Sequence, residues 1–245
     1  MKNYFIFIFF ILAFVFVFVR AEGRLSVSDI INQYIAARGG IDKLNAISSI
    51  CMEGRRIMMG GEARIKITKV KGNLFRTDLK SGESEAYSII TPHEGWTYHS
   101  VSLYEADRVP AEELKNRQTD MDIAGPLVNY EAKGYQVFLD GKEMINEKLC
   151  YKIKLVSSDN NNGIYFIDVK TNLLFRSIQT VKYSGKNAGN ITIEMMTDYS
   201  DYKDYGGVLF PQSIITQGSG INYTIMLFDK IEWNIPVEEK WYKPG

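Results

Sequence analysis

The sequence predicts a mainly β protein with helices (α+β), built on a strongly curved, open antiparallel β-barrel. Polar and apolar residues alternate with period two at residues 63–68, 151–155, 191–195 and 231–235, which is typical of strands with one buried and one solvated face. Glycine-containing turn signals separate such segments at residues 60–61, 71–73, 81–82, 140–141, 159–163, 206–207 and 218–220. This spacing is typical of hairpins between antiparallel strands and predicts about 10 to 11 of them.

Three segments break the alternation and predict helices. The first begins at Ser26 or Ser28, either of which can cap it, and ends before the glycine pair at residues 39–40. The second is a short turn at residues 41–47, and the third is a helical insertion at residues 110–129. Because a sheet with one apolar face must curl up or be covered, we expect the helices to cover its concave side.

Length and composition exclude several classes of protein. The 245 residues contain no low-complexity linker, so we expect a single domain at residues 22–245. The 29 basic and 29 acidic residues give zero net charge, which argues against a dedicated nucleic-acid-binding protein. The two cysteines cannot form a disulfide scaffold, and the two histidines leave little for metal or acid–base chemistry.

The N-terminus predicts export. Residues 4–19 are continuously apolar and follow Lys2, so we interpret residues 1–21 as a signal peptide that is cleaved after Ala21. An uncleaved membrane anchor is the alternative, although the apolar run is short for a membrane-spanning helix. An oxidising compartment permits a bridge between Cys51 and Cys150; one disulfide and two buried thiols are both compatible with the sequence.

No group of residues predicts catalysis. His93 and His99 lack the usual spacing of zinc ligands, and Gly-Ser-Gly at residues 218–220 is not the strand-to-helix elbow of a nucleophilic serine. Residues 198–205 alternate acidic and aromatic side chains, which suits either a carbohydrate-facing patch or an ordinary sheet surface. We therefore predict that the protein is not an enzyme and has no catalytic residues, metal site or cofactor. An enzyme would need a titratable group in a perturbed environment inside the barrel.

Three segments, in their order along the chain, resemble the LolA/LolB-like superfamily of outer-membrane lipoprotein-sorting proteins and, within it, the uncharacterised exported branch. Residues 30–54 resemble the family's opening of helix, Gly-Gly, short turn and first strand. Residues 198–215 resemble a late hairpin of the family, and residues 231–244 resemble its C-terminal strand with the following Asn-x-Pro. The resemblance implies a curved antiparallel half-open β-barrel with an N-terminal helix and with residues 110–129 as a helical lid.

The resemblance further implies that the concave apolar face holds acyl chains, and that the ligand passes between proteins without covalent chemistry. In the sorting proteins one arginine ties the lid to the barrel, and Arg64 and Arg76 are candidates for it by position. Our candidates for the lining of the ligand cavity come from the clearest alternations and from the lid: Ile65, Ile67, Tyr151, Ile153, Leu155, Ile193, Met195, Ile123 and Leu127. The same side chains are equally compatible with a dry core.

The leading hypothesis is thus a periplasmic carrier of a lipophilic ligand, such as an acyl chain, a lipid or a lipoprotein, in the envelope of a Gram-negative bacterium. We expect a monomer that works with inner- or outer-membrane partner proteins and does not bind nucleic acid. The alternative is an accessory envelope domain that binds another protein and no lipid. An apolar patch outside the barrel would favour that alternative.

Overall fold

A computed structural model describes residues 25–100, 105–157, 162–185, 189–218 and 223–244, with the backbone alone at 181–185 and 189–191. The predicted signal peptide, residues 1–21, lies outside the described residues. No helix in the described part of the chain has both the length and the apolar character that crossing a membrane requires.

The helices are short and lie near the two ends of the chain and in the middle. Helix α1 (Val27–Ala37) begins at Ser26, whose hydroxyl oxygen accepts the backbone N–H of Asp29 at 3.1 Å while the Asp29 carboxylate accepts that of Ser26 at 2.9 Å. This reciprocal capping box fixes where the helix starts. Helices α2 (Ile41–Ala46) and α3 (Ala111–Asn116) are each six residues long. Two 3₁₀ helices follow, at Gln118–Met121 and Glu239–Tyr242.

The described residues form thirteen strands in a single antiparallel sheet. The strands are β1 (Ser49–Met58), β2 (Gly61–Val70), β3 (Leu74–Ser81), β4 (Ser84–Ile90), β5 (Gly95–His99), β6 (Asp107–Arg108), β7 (Tyr135–Ile145), β8 (Lys148–Ser157), β9 (Gly163–Asp168), β10 (Leu174–Gly185), β11 (Gly189–Asp204), β12 (Leu209–Gln217) and β13 (Tyr223–Trp233).

The sheet has two arms that meet where β1 pairs with β13. Strands β1 to β6 form one arm and β13 back to β7 form the other, in the order β6-β5-β4-β3-β2-β1-β13-β12-β11-β10-β9-β8-β7. The sheet is curved and does not close, so β6 and β7 are its two edges. Residues 109–134, which we name the bridging segment, run from one edge to the other. The predicted fold class, a half-open antiparallel barrel with helices, is confirmed.

The number of strands exceeds the predicted 10 to 11, because some strands and turns lack the signals on which the prediction relied. Strand β6 has only two residues and cannot show alternation. The β7–β8 turn has positive φ at Asn146 and Glu147, without glycine. Asp140 and Gly141, predicted as a turn, instead lie inside β7 at a shift of its register with β8, because a glycine with positive φ also suits a β-bulge.

The main core lies on the concave face of the sheet. Helix α1 contributes Ile30, Ile31 and Tyr34, which pack with residues of the bridging segment against both arms. Two smaller apolar clusters lie on the other face: one around Ile89 and Trp96 is covered by the C-terminal 3₁₀ helix, and one surrounds Cys150. This arrangement leaves the concave face as the place where a ligand would meet apolar side chains.

The two cysteines are buried free thiols rather than a disulfide. Cys51 lies on β1 and Cys150 on β8, and five strands separate these two in the sheet. Because neighbouring strands are about 4.8 Å apart, their Cα atoms are too distant for a bridge.

Candidate ligand-binding site

The concave face of the sheet is apolar because alternate residues of its strands point inward. In β2 the inward residues Ile65 and Ile67 are 4% and 8% exposed, and in β8 Ile153 is fully buried. The register continues the inward rows across the sheet: Met52 of β1 lies opposite Ile67, and Tyr165 of β9 lies opposite Ile153. These rows form the walls of a cup.

The bridging segment covers the cup. After α3 and its 3₁₀ turn, Leu127 and Val128 insert between the walls and are 2% and 0% exposed. Ile123 is half-buried against the same cluster. Gly125, with φ of 89°, makes the turn that directs this part of the segment inward.

Most of the predicted lining residues come together in this one cluster. It contains Ile65, Ile67, Tyr151, Ile153, Leu155 and Leu127, with Ile123 packed against it. Ile193 and Met195 of β11 are half-buried and lie outside this cluster. They lie close to Gly218 instead: a Cβ built on Gly218 would be 3.5 Å from Ile193 and 3.3 Å from Met195. The inner wall therefore continues toward the β11–β12 end with less packing against it.

Four side chains of the cup and the bridging segment join the two by polar contacts. Arg38 donates to the carbonyl oxygen of Ala124 at 2.6 Å, and Lys69 donates to that of Asp122 at 3.4 Å. From the segment side, Arg117 donates to the Ser88 hydroxyl at 3.0 Å, and Gln118 to the Thr91 carbonyl at 3.3 Å. Two further bonds hold its ends: the Val109 N–H donates to the Gly95 carbonyl of β5 at 2.9 Å, and Asn129 donates to the Asn45 side chain of α2 at 2.6 Å. These are isolated hydrogen bonds rather than a continuous ladder, so the segment is attached less firmly than a strand in the sheet.

On the cup side, the arginine that bonds to the bridging segment is Arg38, whereas the candidates Arg64 and Arg76 lie elsewhere on the sheet. Arg64 is exposed on β2, and Arg76 is bound to Asp78 at 2.7 Å on the outer face. Arg38 follows the last turn of α1, where its backbone N–H still bonds to Tyr34, and this places its side chain inside the cup. The sequence offered one signal for it: Arg38 is four residues after Tyr34 and therefore on the buried face of the helix.

The surroundings of Arg38 are aromatic and nearly free of acidic groups. The guanidinium lies 5.7 Å from the ring centres of Tyr34 and Phe210, and its Nη1 also donates to the Tyr34 hydroxyl at 3.0 Å. Burial alone lowers the pKa of Arg38, but its interactions with Tyr34, Tyr202 and Asp122 outweigh burial and the net pKa is raised. The side chain therefore stays charged inside the cup.

Lys69 is a second inward-pointing cation. It continues the inward row of Ile65 and Ile67 on β2, and its ammonium lies 5.2 Å from the ring centre of Phe75. Burial lowers the pKa of Lys69, and Asp120 and Asp122 offset part of this effect. Lys69 has the same parity as Ile65 and Ile67, so the alternation along β2 by itself predicts that Lys69 lies on the apolar face.

Tyrosines of β9 and β11 add polar groups to the floor of the cup. Tyr165 accepts a hydrogen bond from Gln179 at 2.8 Å, and the Tyr199 hydroxyl lies 3.1 Å from that of Ser177. Tyr202 donates to the carbonyl oxygen of Leu174 at 2.8 Å. The pattern at residues 198–205 is thus neither a carbohydrate-facing patch nor a plain surface at these positions, because Tyr199 and Tyr202 point into the protein while Asp201 between them is exposed.

The tyrosines in the floor of the cup are hydrogen-bonding groups. Burial raises the pKa of Tyr165, Tyr199 and Tyr202, so the phenols are neutral hydrogen-bonding groups at ordinary pH. A nucleophile with a base and an orienting group is not formed by the interior side chains named above. In the described part of the chain no three His, Cys, Asp or Glu residues are grouped to hold a metal ion, and both histidines are exposed.

Two concavities lie outside the cup. One of about 330 Å³ is lined by residues of β11, β12 and β13, including Asp201, Lys203 and Asp229. The other, of about 570 Å³, lies beside Trp233, whose indole N–H donates to the Tyr205 carbonyl at 2.7 Å. The charged and polar groups of the first differ in character from the apolar interior of the cup.

Comparison with solved structures supports the fold. A DUF1329 family protein from Desulfovibrio piger aligns with a TM-score of 0.59 and 10% identity over 90% of this chain and 98% of its own. A LolA superfamily protein from Nitrosomonas europaea gives a TM-score of 0.56 and 11% identity over 90% and 98%. A domain from Vibrio parahaemolyticus that is named for outer-membrane lipoprotein sorting gives 0.55 and 9% over 87% and 94%.

The described residues define the class of the protein as an open antiparallel barrel with a covering segment. More particularly, the chain has a LolA-like fold, as its sequence resemblance predicted. No family model and no curated protein matches the sequence.

Proposed function

We propose that the protein is an exported, periplasmic carrier that holds the acyl chain of a lipid or lipoprotein between the walls of the cup, with the bridging segment as its lid. In this proposal no bond of the ligand is made or broken. The predicted signal peptide supports export, and the LolA-like fold supports the class of ligand.

The observation that carries the proposal is the pairing of an apolar interior with a separately attached cover. Leu127 and Val128 fill the space between the walls, yet their segment joins the sheet through one backbone hydrogen bond at its start and isolated side-chain hydrogen bonds, not through a strand ladder. If the segment moves away, the walls lose their apolar cover and an acyl chain can replace it. The cup then holds either the lid or a ligand.

Part of one acyl chain can offset the lost burial of Leu127 and Val128. Removing a buried Leu and a buried Val side chain costs about 3 to 6 kcal/mol together. Each buried methylene of a lipid contributes about 0.8 kcal/mol, so about four to eight methylenes offset the loss. Met52 and Met226, which lie in or against the core cluster, add a flexible part to the wall.

Fluorescence titration with cis-parinaric acid tests the proposal. Ile67→Trp adds bulk inside the cup, and we expect it to weaken binding strongly, whereas Lys66→Trp adds the same bulk on the outer face and leaves binding unchanged. Circular dichroism checks that both variants fold, since overpacking costs about 1 to 3 kcal/mol. Equal binding by both variants, or no binding by the unaltered protein, would overturn the carrier function.

A second function, docking of another envelope protein, is favoured by one observation. Strand β7 is an edge of the sheet, and exposed apolar side chains lie on β7 and β8: Phe138 at 52%, Met144 at 61%, Leu149 at 41% and Val156 at 40%. Changing Phe138 and Met144 to Lys should abolish copurification of an envelope protein while lipid binding persists. A partner that stays bound to this double variant would contradict docking at this edge.

A further inference from the structure

We propose that Arg38 binds the anionic head of the ligand, a carboxylate or a phosphate, so that the cup selects acidic amphiphiles over neutral ones. This inference rests on the carrier function proposed above and specifies its ligand. It is carried by the hydrogen bonding of Arg38, by the placement of the nearest carboxylate and by the polar groups around it.

The guanidinium of Arg38 is buried, and at least one of its N–H donors has no partner in the described part of the chain. Arg38 is only 7% exposed, and its Nε is a buried side-chain polar atom without a hydrogen-bond partner among the described residues. A guanidinium has five N–H donors arranged to match an oxyanion, and the contacts described for this one go to a phenol oxygen and a carbonyl oxygen. Burying such a charge without an anion is costly, and an acidic ligand would remove that cost.

The acidic side chain that acts on Arg38, Asp122, forms its hydrogen bonds with other groups. Asp122 acts on Arg38 electrostatically, but one of its carboxylate oxygens accepts Lys133 at 2.6 Å and the other accepts the backbone N–H of Gly125 at 3.3 Å. No ion pair within 4 Å joins Arg38 to an Asp or Glu in the part of the chain that the structure describes. The cation is therefore not neutralised by a direct partner.

The groups around Arg38 suit an oxyanion. The Tyr34 hydroxyl accepts a hydrogen bond from Arg38 at 3.0 Å, and Tyr202 interacts electrostatically with the guanidinium. The Lys69 side-chain nitrogen adds N–H donors against the same bridging segment, where it donates to the Asp122 carbonyl at 3.4 Å. The apolar rows of β2 and β8 begin beside these polar groups, so a head at Arg38 leaves its chain along the walls of the cup.

Headgroup binding and lid opening are coupled by one atom. Nη1 of Arg38 donates to the carbonyl oxygen of Ala124 in the bridging segment. An oxyanion at this nitrogen competes with that carbonyl and weakens the attachment of the lid. An acidic ligand thereby favours the open state that its own chain requires.

Isothermal titration of the purified full chain with three amphiphiles of one length tests this inference: dodecanoic acid, dodecyl phosphate and dodecan-1-ol, at about pH 8, where the acid is ionised. We expect the unaltered protein to bind at least one of the two acidic amphiphiles at least about tenfold more tightly than the alcohol. The tighter of the two identifies the head as carboxylate or phosphate.

Variants then assign the preference to Arg38. Arg38→Gln should bind the acidic amphiphile no better than the alcohol, because the charge that distinguishes the two is gone, and Arg38→Lys should recover part of the preference. Arg64→Gln, which removes the same charge from the exposed side of β2, should behave like the unaltered protein. The ratio of the affinities for the acidic amphiphile and the alcohol is measured in the unaltered protein. A folding defect of Arg38→Gln therefore does not prevent the test.

The outcomes separate this inference from the carrier function. Equal binding of acid, phosphate and alcohol by the unaltered protein overturns the role of Arg38 and leaves the carrier function standing. A preference that survives in a folded Arg38→Gln variant does the same. Failure of all three amphiphiles to bind overturns the carrier function and this inference together.

Discussion

Truncation of Leu127 in the bridging segment separates a lid that opens by itself from a segment that unfolds only with the whole protein. Leu127 is 2% exposed inside the cup, and Leu→Ala changes at such sites cost about 2 to 5 kcal/mol. If the segment opens locally, Leu127→Ala lowers the free energy of that opening by this amount. Amide hydrogen exchange of the segment then accelerates by about 30-fold or more, at about 1.4 kcal/mol per factor of ten.

Particular amides report on each process. The backbone N–H groups of Val128 and Gly134 bond to carbonyls within the segment, at 3.1 and 2.9 Å, and report on its opening. The amides of β8 are held in ladders with β7 and β9 and report on global unfolding. Mass spectrometry or NMR of exchanging protein resolves the two groups.

Ile153→Ala is the matched control, because Ile153 is fully buried but lies in β8. It should lower the free energy of global unfolding in urea by about 2 to 5 kcal/mol and leave the exchange of Val128 and Gly134 nearly unchanged. The lid interpretation is refuted if these two amides exchange in the unaltered protein with the same free energy as β8. It is also refuted if Ile153→Ala accelerates the exchange of Val128 and Gly134 as much as that of β8.

Three further predictions concern the sheet. In urea titrations, Gly54→Ala should destabilise the protein by several kcal/mol or prevent folding, because the added Cβ would lie 1.9 Å from the Leu227 carbonyl oxygen at the β1–β13 bulge. Gly60→Ala is the control and should have a small effect, because the space around Gly60 is open. Glu147→Gly should raise the free energy of unfolding by about 0.5 to 1 kcal/mol, since residue 147 has a φ of 66° that glycine adopts without strain, and a decrease would contradict this account of the turn. Burial raises the pKa of the Cys150 thiol from 9.0 to about 11. Between these pH values the thiol ionises in the unfolded state but not in the folded state, so the free energy of unfolding falls as the pH rises from 9 to 11. Cys150→Ser should lack this part of the pH dependence in urea titrations across that range.

Much of the fold was predictable because it depends on local patterns. Alternation in β2 and β8 identified inward residues such as Ile67 and Ile153, and the capping residues located α1. The turn at Asn146 and Glu147 was missed, since it uses residues without glycine in a conformation that glycine prefers. Periodicity cannot locate a turn of this kind.

The polar part of the candidate site was less predictable, because it is made by contacts between distant segments. Arg38 and Ala124 are 86 residues apart, and neither has a pattern that links it to the other. Tyr199 and Tyr202 looked like surface residues until β11 was seen to bend at Asp201, where φ is 54°. Only the three-dimensional arrangement shows that Ala124 and Tyr202 interact with the buried guanidinium of Arg38.

Native mass spectrometry of the protein purified from a bacterial envelope tests the carrier function most directly. We predict that a fraction of the protein carries a bound mass that dissociates as an acyl lipid, and that Ile67→Trp loses it while Lys66→Trp keeps it. If repeated preparations contain no bound lipid and the purified protein also fails to take up cis-parinaric acid, the cup is a filled core and the carrier function is wrong.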